Sequence, residues 1–251
     1  MENKTDIISR AGNFTSSNIY KLMSNGRTGG SMGAPGYTYI EEKKMELKLG
    51  RQLQQDVSSR AISWGKFVQH RVTNTLLDTS CKPTKDIRRV HKTISNWTGA
   101  EDYIRMQHIE RGELHQEEAT SLIVGEVKCF ELKNFCKVHE AASFGYQSLK
   151  EECPEVFWQL VSNSILNETN KAELCLYVPY KKELQAIRDE AKESGRDDLR
   201  WLAYNTEDDA LPYLIEGGHY KNLTTFDFNI LDADKQLLID RVKIAIKLLK
   251  G

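Results

Sequence analysis

The chain has 251 residues, 39% hydrophobic and 28% charged, with a formal net charge of −1. That length can bury a substantial core as one large domain or two small ones, and the near-neutral balance argues against an overall basic coat for nucleic acid while leaving local patches open. No apolar run reaches the ~18 residues of a membrane span, the N-terminal "MENKTDIISRAGNF" has no long apolar region, and five scattered cysteines without a CxxC read as reduced thiols of an intracellular protein.

In chain order, a short helix is predicted near 15–24, ahead of the flexible "SNGRTGGSMGAPGY" at 24–37, and a longer helix near 38–50. "SSRAISWGKFVQHRVTNTLLD" reads as a helix over 58–78, with Ala61, Trp64, Val68, Val72 and Leu76 at helical spacing and the N-cap within 58–60. Residues 86–128 read as strands and turns: "VHKTISN", then "TGAEDYIRM" opening on a turn, then the strong strand "TSLIVGEVKCF". The polar "QHIERGELHQEEA" reads as the hairpin loop between the last two. "PEVFWQLVSNSILN" follows as an amphipathic helix, "AELCLYVPY" as a buried strand and "KKELQAIRDEAKES" as an exposed helix. "DALPYLIEGGHY" is placed over the core, and "DADKQLLIDRVKIAIKLLK" as a final helix with Leu237, Leu238, Val242, Ile244, Ile246 and Leu248 on its apolar side. Helices, then strands, then alternation give a mixed α/β class.

One stretch raises a chemical question. In "SLIVGEVKCFELKNF" an apolar run meets Gly125 and is followed by Glu126, Val127 and Lys128. Alternate strand residues share a face, so Glu126 and Lys128 project together, and burying both is costly unless they are paired or bind something. The pair is either an ordinary ion pair or half of an active site. Phosphodiester hydrolysis with a divalent cation wants carboxylate oxygens and a lysine that orients water or steadies phosphate charge. Asp102, in "GAEDYI" just after a turn, is the natural second acid. An aspartate, a hairpin and then Glu-x-Lys match the nuclease pattern written PD-(D/E)xK.

"SRAGNFTSSNIYKLM", "AISWGKFVQHRV", "GAEDYI", "VGEVKC" and "FWQLVSNSI" occur in an order that resembles the lambda exonuclease-like enzymes, also called YqaJ-like viral recombinases, over roughly residues 10–190. The resemblance implies a single nuclease domain over 1–251, with a C-terminal extension at 195–251. Its core would be a mixed central β-sheet flanked by helices, of the restriction endonuclease-like type. It implies Mg²⁺ (with Mn²⁺ as a substitute) and 5′→3′ digestion of one strand of double-stranded DNA ends, leaving 3′ single-stranded tails. It also implies a homotrimer working beside a single-strand annealing protein (RecT/Redβ-like) in phage-type recombination, in the cytoplasm of a bacterial host, without a membrane. Position by position, Asp102 and Glu126 match the metal-binding acids, the Val127 backbone carbonyl a further ligand, and Lys128 the catalytic lysine. Arg10 and Ser17, with Thr15, match the residues that hold a 5′-terminal phosphate. Gln159 matches a helix glutamine facing the site. A guanidinium bonds phosphate bidentately, and a hydroxyl at a helix start adds a donor beside backbone N–H groups.

Gln69 departs from the family, whose members usually carry a glutamate on the helix there. The amide keeps the shape and drops a charge, making a poorer ligand for a hard cation. An inactivated form, a natural variant with a weakened second metal site, and a nuclease degraded to DNA binding all fit. The six histidines, His70, His91, His108, His115, His139 and His219, show no ligand spacing, and the basic "DIRRVHK" is either a contact for backbone phosphates or, more commonly for such a run, a solvated strand edge. Trp64 and Trp158 fall at core spacing. The alternatives to an exonuclease are a related endonuclease of the restriction or Cas4-like type and a DNA-binding homologue without catalysis. The spacing of Cys129, Cys136 and Cys153 does not follow iron–sulfur cluster runs.

Overall fold

A computed structural model describes residues 11–27, 31–53, 59–84, 87–109 and 119–251. Its centre is a five-stranded mixed sheet in the order β2 (Cys81–Pro83), β5 (Tyr103–Ile109), β6 (Ala119–Lys128), β7 (Lys171–Tyr177) and β8 (Leu223–Asn229). Only β6 and β7 run parallel, and the chain crosses between them through α3 (Leu132–Ser143), α4 (Tyr146–Glu152) and α5 (Pro154–Leu166). A second sheet joins β1 (Phe14–Thr15), β4 (Trp97–Gly99) and β3 (Arg89–Val90). Further helices are a 3₁₀ helix at Ser16–Met23, α1 (Ala34–Leu49), α2 (Arg60–Arg71) continued by a π-helical turn at Val72–Leu76, α6 (Leu184–Glu193), the short α7 (Arg200–Tyr204) and α8 (Asp232–Lys250), with 3₁₀ turns at Lys181–Glu183, Asp197–Leu199 and Asp208–Ala210.

Strand alternation divides the core into two apolar layers. Val124, Ala172, Leu174 and Leu176 face α3–α5 and α8, while Tyr103, Val127, Cys175 and Tyr177 face α2, α6 and α7. Trp64 and Trp158 are buried in these layers, as their spacing predicts. Ser59 caps α2 through its side chain, which accepts from the Ile62 N–H at 3.2 Å.

The sequence expectations fail at several places. "QHI" belongs to β5 and not to the loop; the rest of that loop, 110–118, lies outside the described residues. The helix α5 is not amphipathic in the solvent sense, because Val156–Ser164 is buried on every side. It packs on the sheet with one side and on the 3₁₀ helix and α8 with the others, so its polar residues face the interior. In α8, Leu238, Val242, Ala245 and Leu249 supply the buried stripe, whereas Leu237, Ile244 and Leu248 remain exposed. The strand β8 and the helices α3 and α4 have no counterpart among the predicted elements. Residues beyond 195 include β8, which completes the main sheet, and α8, which packs on α5 and α1.

Candidate active site

The site forms where β5 and β6 part. The antiparallel ladder ends at the Tyr103–Gly125 pair, and β6 runs on through Glu126, Val127 and Lys128 beside β7 alone. Past that point the Val127 N–H donates to the Asp102 side chain (Oδ2, 2.7 Å), which takes the place of a strand carbonyl. The Glu101 carbonyl is taken by the Thr84 hydroxyl at 2.5 Å and the Asp102 carbonyl by the Thr84 N–H at 3.0 Å. Gly125 is required by close approach: a Cβ there would lie 2.0 Å from the Tyr103 ring. That ring crosses the strand so that its hydroxyl reaches buried Glu173, which Arg105 also holds.

Glu126, 4% exposed, is gripped on both oxygens. Lys128 Nζ donates to Oε1 at 2.8 Å, Gln159 Nε2 to the same oxygen at 2.5 Å, and Asn163 Nδ2 to Oε2 at 3.1 Å. Gln159 Oε1 accepts from Lys128 Nζ at 2.9 Å, closing a ring of three side chains. The pair that the strand pattern singled out is thus an ion pair, and Gln159, bonded to both members, lines a cleft. Gln159 and Asn163 lie four apart on α5, one turn above the other, and so reach the same carboxylate.

The Asp102 carboxyl is pushed up to about 8, first by burial and then by the nearby Glu126 carboxylate. Hydrogen bonds from the Val127 N–H, the Lys128 field and the Gln69 amide offset part of this. Glu126 is also raised, chiefly by burial. Burial works to lower the Lys128 ammonium, but the Glu126 carboxylate, its hydrogen bond and Asp102 outweigh burial and hold it above the ordinary lysine range. Two acids that resist joint ionisation mark a place that favours added positive charge.

Two clefts meet at Ala100 beside these groups. One, of about 360 Å³, is lined by Thr15, Ser17, Asn18, Gln52, Arg88 and Gln159 among others. The other, of about 330 Å³, is lined by Lys66, Gln69, His70, Glu101, Asp102 and Arg196 among others. Of the sequence candidates, Asp102, Glu126, Val127, Lys128, Gln69 and Gln159 come together, and Thr15 and Ser17 line the adjoining cleft. Arg10 lies outside the described residues. Gln69 Nε2 donates to Asp102 Oδ1 at 2.5 Å, so the amide stands beside the acid.

The sequence reading missed Asn163 and Glu101, while Arg88, part of the basic run "DIRRVHK", lines the first cleft. Glu101 is buried next to Asp102, but its carboxylate is tied to Arg89 Nε at 3.2 Å and Asn167 Nδ2 at 3.0 Å. Asn163 had a usable signal, its four-residue spacing from Gln159. His70, read as an ordinary polar histidine, lines the second cleft. Among the described residues no three His, Cys, Asp or Glu side chains group closely enough to hold a metal on their own. The donors that could hold a hard divalent cation are the oxygens of Asp102 and Glu126, with the Val127 carbonyl as the further ligand that the resemblance implies.

No family model matches this sequence, and no curated protein matches it. Solved structures share its fold. The alkaline exonuclease LHK-Exo from Laribacter hongkongensis superposes with a TM-score of 0.60 at 13% identity, over 99% of this chain and 93% of that one. LHK-Exo in complex with dAMP gives 0.61 at 14% identity, with the same coverage. A phage related exonuclease from Haemophilus somnus 129PT gives 0.56 at 13% identity, over 94% of this chain and 91% of that one. The mixed α/β architecture expected from the resemblance is the architecture found. At such identity the likeness establishes the fold.

Proposed function

We propose that this chain is a Mg²⁺-dependent exonuclease acting on double-stranded DNA ends, the fold of known exonucleases carrying a matching site. The observation that carries the reading is the junction of Asp102, Glu126 and Lys128 where two clefts meet. Asp102, Glu126 and the Val127 carbonyl would hold the cation, Mg²⁺ or Mn²⁺, which would supply Lewis-acid polarisation of the phosphate and a more acidic water. The chain's own residues do the rest. Lys128 is held as an ammonium, so it donates to water or phosphate oxygen rather than taking a proton. Gln159 and Asn163 fix the Glu126 carboxylate, and Gln159 fixes Lys128, which keeps the site rigid before substrate arrives. Thr15 and Ser17, with Arg10 by the resemblance, take the 5′ end. The finer reading is 5′→3′ digestion leaving 3′ tails, by a homotrimer that hands the tails to a single-strand annealing protein in phage-type recombination in the bacterial cytoplasm.

The test is digestion of linear duplex, labelled at either end, beside covalently closed circles, with Mg²⁺, Mn²⁺ or chelator. Cation-dependent release of 5′-labelled mononucleotides from linear DNA alone supports the reading. Cutting of closed circles would make the chain an endonuclease. Gln69, bonded to Asp102 where the resemblance implies a glutamate, favours a second reading, a homologue that binds DNA ends with impaired catalysis. Tight end binding without cleavage in either metal would establish that one.

A further inference from the structure

A pocket of about 250 Å³ opens at the N-terminal half of α2. That is smaller than the roughly 300–1,000 Å³ of sites for drug-sized ligands and suits a single planar ring system. Its lining includes Trp64, Cys129 and Leu211, of which Trp64 and Leu211 are buried. Trp201 on α7 adds an aromatic wall. Its indole N–H donates to the Asp198 carbonyl at 2.9 Å, and its own carbonyl accepts from the Thr206 hydroxyl at 2.8 Å. The polar edge of the ring is therefore occupied, and the Arg60 guanidinium lies over the ring at 5.6 Å from its centroid. An indole beside a guanidinium makes two planar groups, each able to stack on a planar ring. Exposed Glu131 also lines the pocket, where its carboxylate disfavours a phosphate and offers an acceptor to a ring amine. Two elements join the pocket to the acids. Cys129 directly follows Lys128, and Trp64 precedes Gln69, the partner of Asp102, on α2. Their separation on the helix is about 8 Å, or roughly two steps of a DNA strand.

We propose that this pocket takes an unpaired base of the complementary strand, the one that is not cut. The proposal rests on the nuclease reading for its substrate. Glu126 is buried, so a phosphate reaches it on a strand that has parted from its complement. Each parted pair leaves one base of the complementary strand unpaired and unstacked. Seated in the pocket, that base regains stacking on Trp201 and Arg60 and buries its ring against an apolar floor, which offsets the cost of opening the end.

The experiment uses the full chain in EDTA, with duplexes whose complementary strand extends as a short 3′ overhang. Each overhang position carries in turn a base or an abasic residue, and Kd is read by fluorescence anisotropy for the parent, Trp201→Ala, Trp201→Phe and Ala61→Leu. An abasic residue at one overhang position should weaken parent binding roughly tenfold, as expected for lost base–aromatic stacking. Trp201→Ala should erase that difference, and Trp201→Phe should retain part of it. Ala61→Leu fills the pocket from an exposed helix position and removes no core side chain, so it should also erase the difference and decides the matter if Trp201→Ala lowers the melting temperature. Equal affinity for base and abasic overhangs in the parent would overturn the proposal, as would a difference that survives in both folded variants. A Trp201-dependent penalty for abasic residues in the 5′-ended strand instead would assign the pocket to the cut strand and overturn the proposal as stated. Digestion of the same duplexes in Mg²⁺ separates the two readings. A chain that cuts ends without base dependence loses only the pocket, and one that shows base dependence but cuts nothing loses the nuclease reading.

Discussion

Replacing Asp102 by Asn tests the electrostatic account of the site without any assumption about substrate. In the metal-free protein the Asp102 carboxyl is pushed up to about 8 from an ordinary value of 3.8, first by burial and then by Glu126. A group whose folded value lies above its unfolded one keeps its proton in the native state where the unfolded chain has lost it. Stability therefore falls as pH rises from about 4 through about 8. At about 1.4 kcal/mol per pH unit, that span sets an upper bound on the order of 5 kcal/mol. The value of about 8 already includes the offsets from the Val127 N–H and Lys128; relaxation at the open cleft reduces the cost, leaving ~2 kcal/mol as the expected difference. For a chain of this size that is roughly 4–8 °C in melting temperature. In EDTA, the parent should lose this much relative to Asp102→Asn between pH 4 and pH 9. With Mg²⁺ at pH 9 the parent should recover, because a cation replaces the proton, and the variant should not. Parallel pH profiles for the two proteins in EDTA would refute the reasoning.

Gln69→Glu should tighten Mg²⁺ binding roughly tenfold by calorimetry, since an anionic oxygen replaces the amide beside Asp102, and should lower the metal-free melting temperature through added repulsion. Equal Mg²⁺ affinity would place position 69 outside the site. Lys128→Met should reduce cleavage by at least 10² while retaining DNA-end binding in a mobility-shift assay, as expected for a group that acts on the reacting phosphate or water. Gly125→Ala should destabilise the fold by about 1–3 kcal/mol in urea unfolding, because the new Cβ meets the Tyr103 ring. A neutral outcome there would mean that the ring's path over the strand is not fixed.

The acids and the lysine were legible because strand geometry and charge burial are local matters. Two residues apart in an apolar strand, Glu126 and Lys128 must share a face, and a turn before the partner strand presents Asp102 to it. The helix around Trp64 and Val68 was legible from periodicity, and with it the place of Gln69. What stayed hidden depends on partners far along the chain. The helix α5 reads as amphipathic, yet it is buried all round, because the 3₁₀ helix, α8 and the sheet close on it from different sides. Its Gln159, Ser162 and Asn163 bond Glu126, Ser16 and Trp97 rather than water. Periodicity records only that polar and apolar positions alternate, so it does not distinguish a solvated stripe from a stripe that lines a site. For the same reason "RR" at 88–89 reads as one basic run, although Arg89 pairs with Glu101 and Arg88 lines the Ser17 cleft. The sequence by itself determined that Glu126 and Lys128 share a face of β6, since spacing of two on a strand is fixed by the backbone. Tertiary packing decided which side chains surround that chemistry, because these contacts join residues 33 to 146 positions apart and leave no periodic trace.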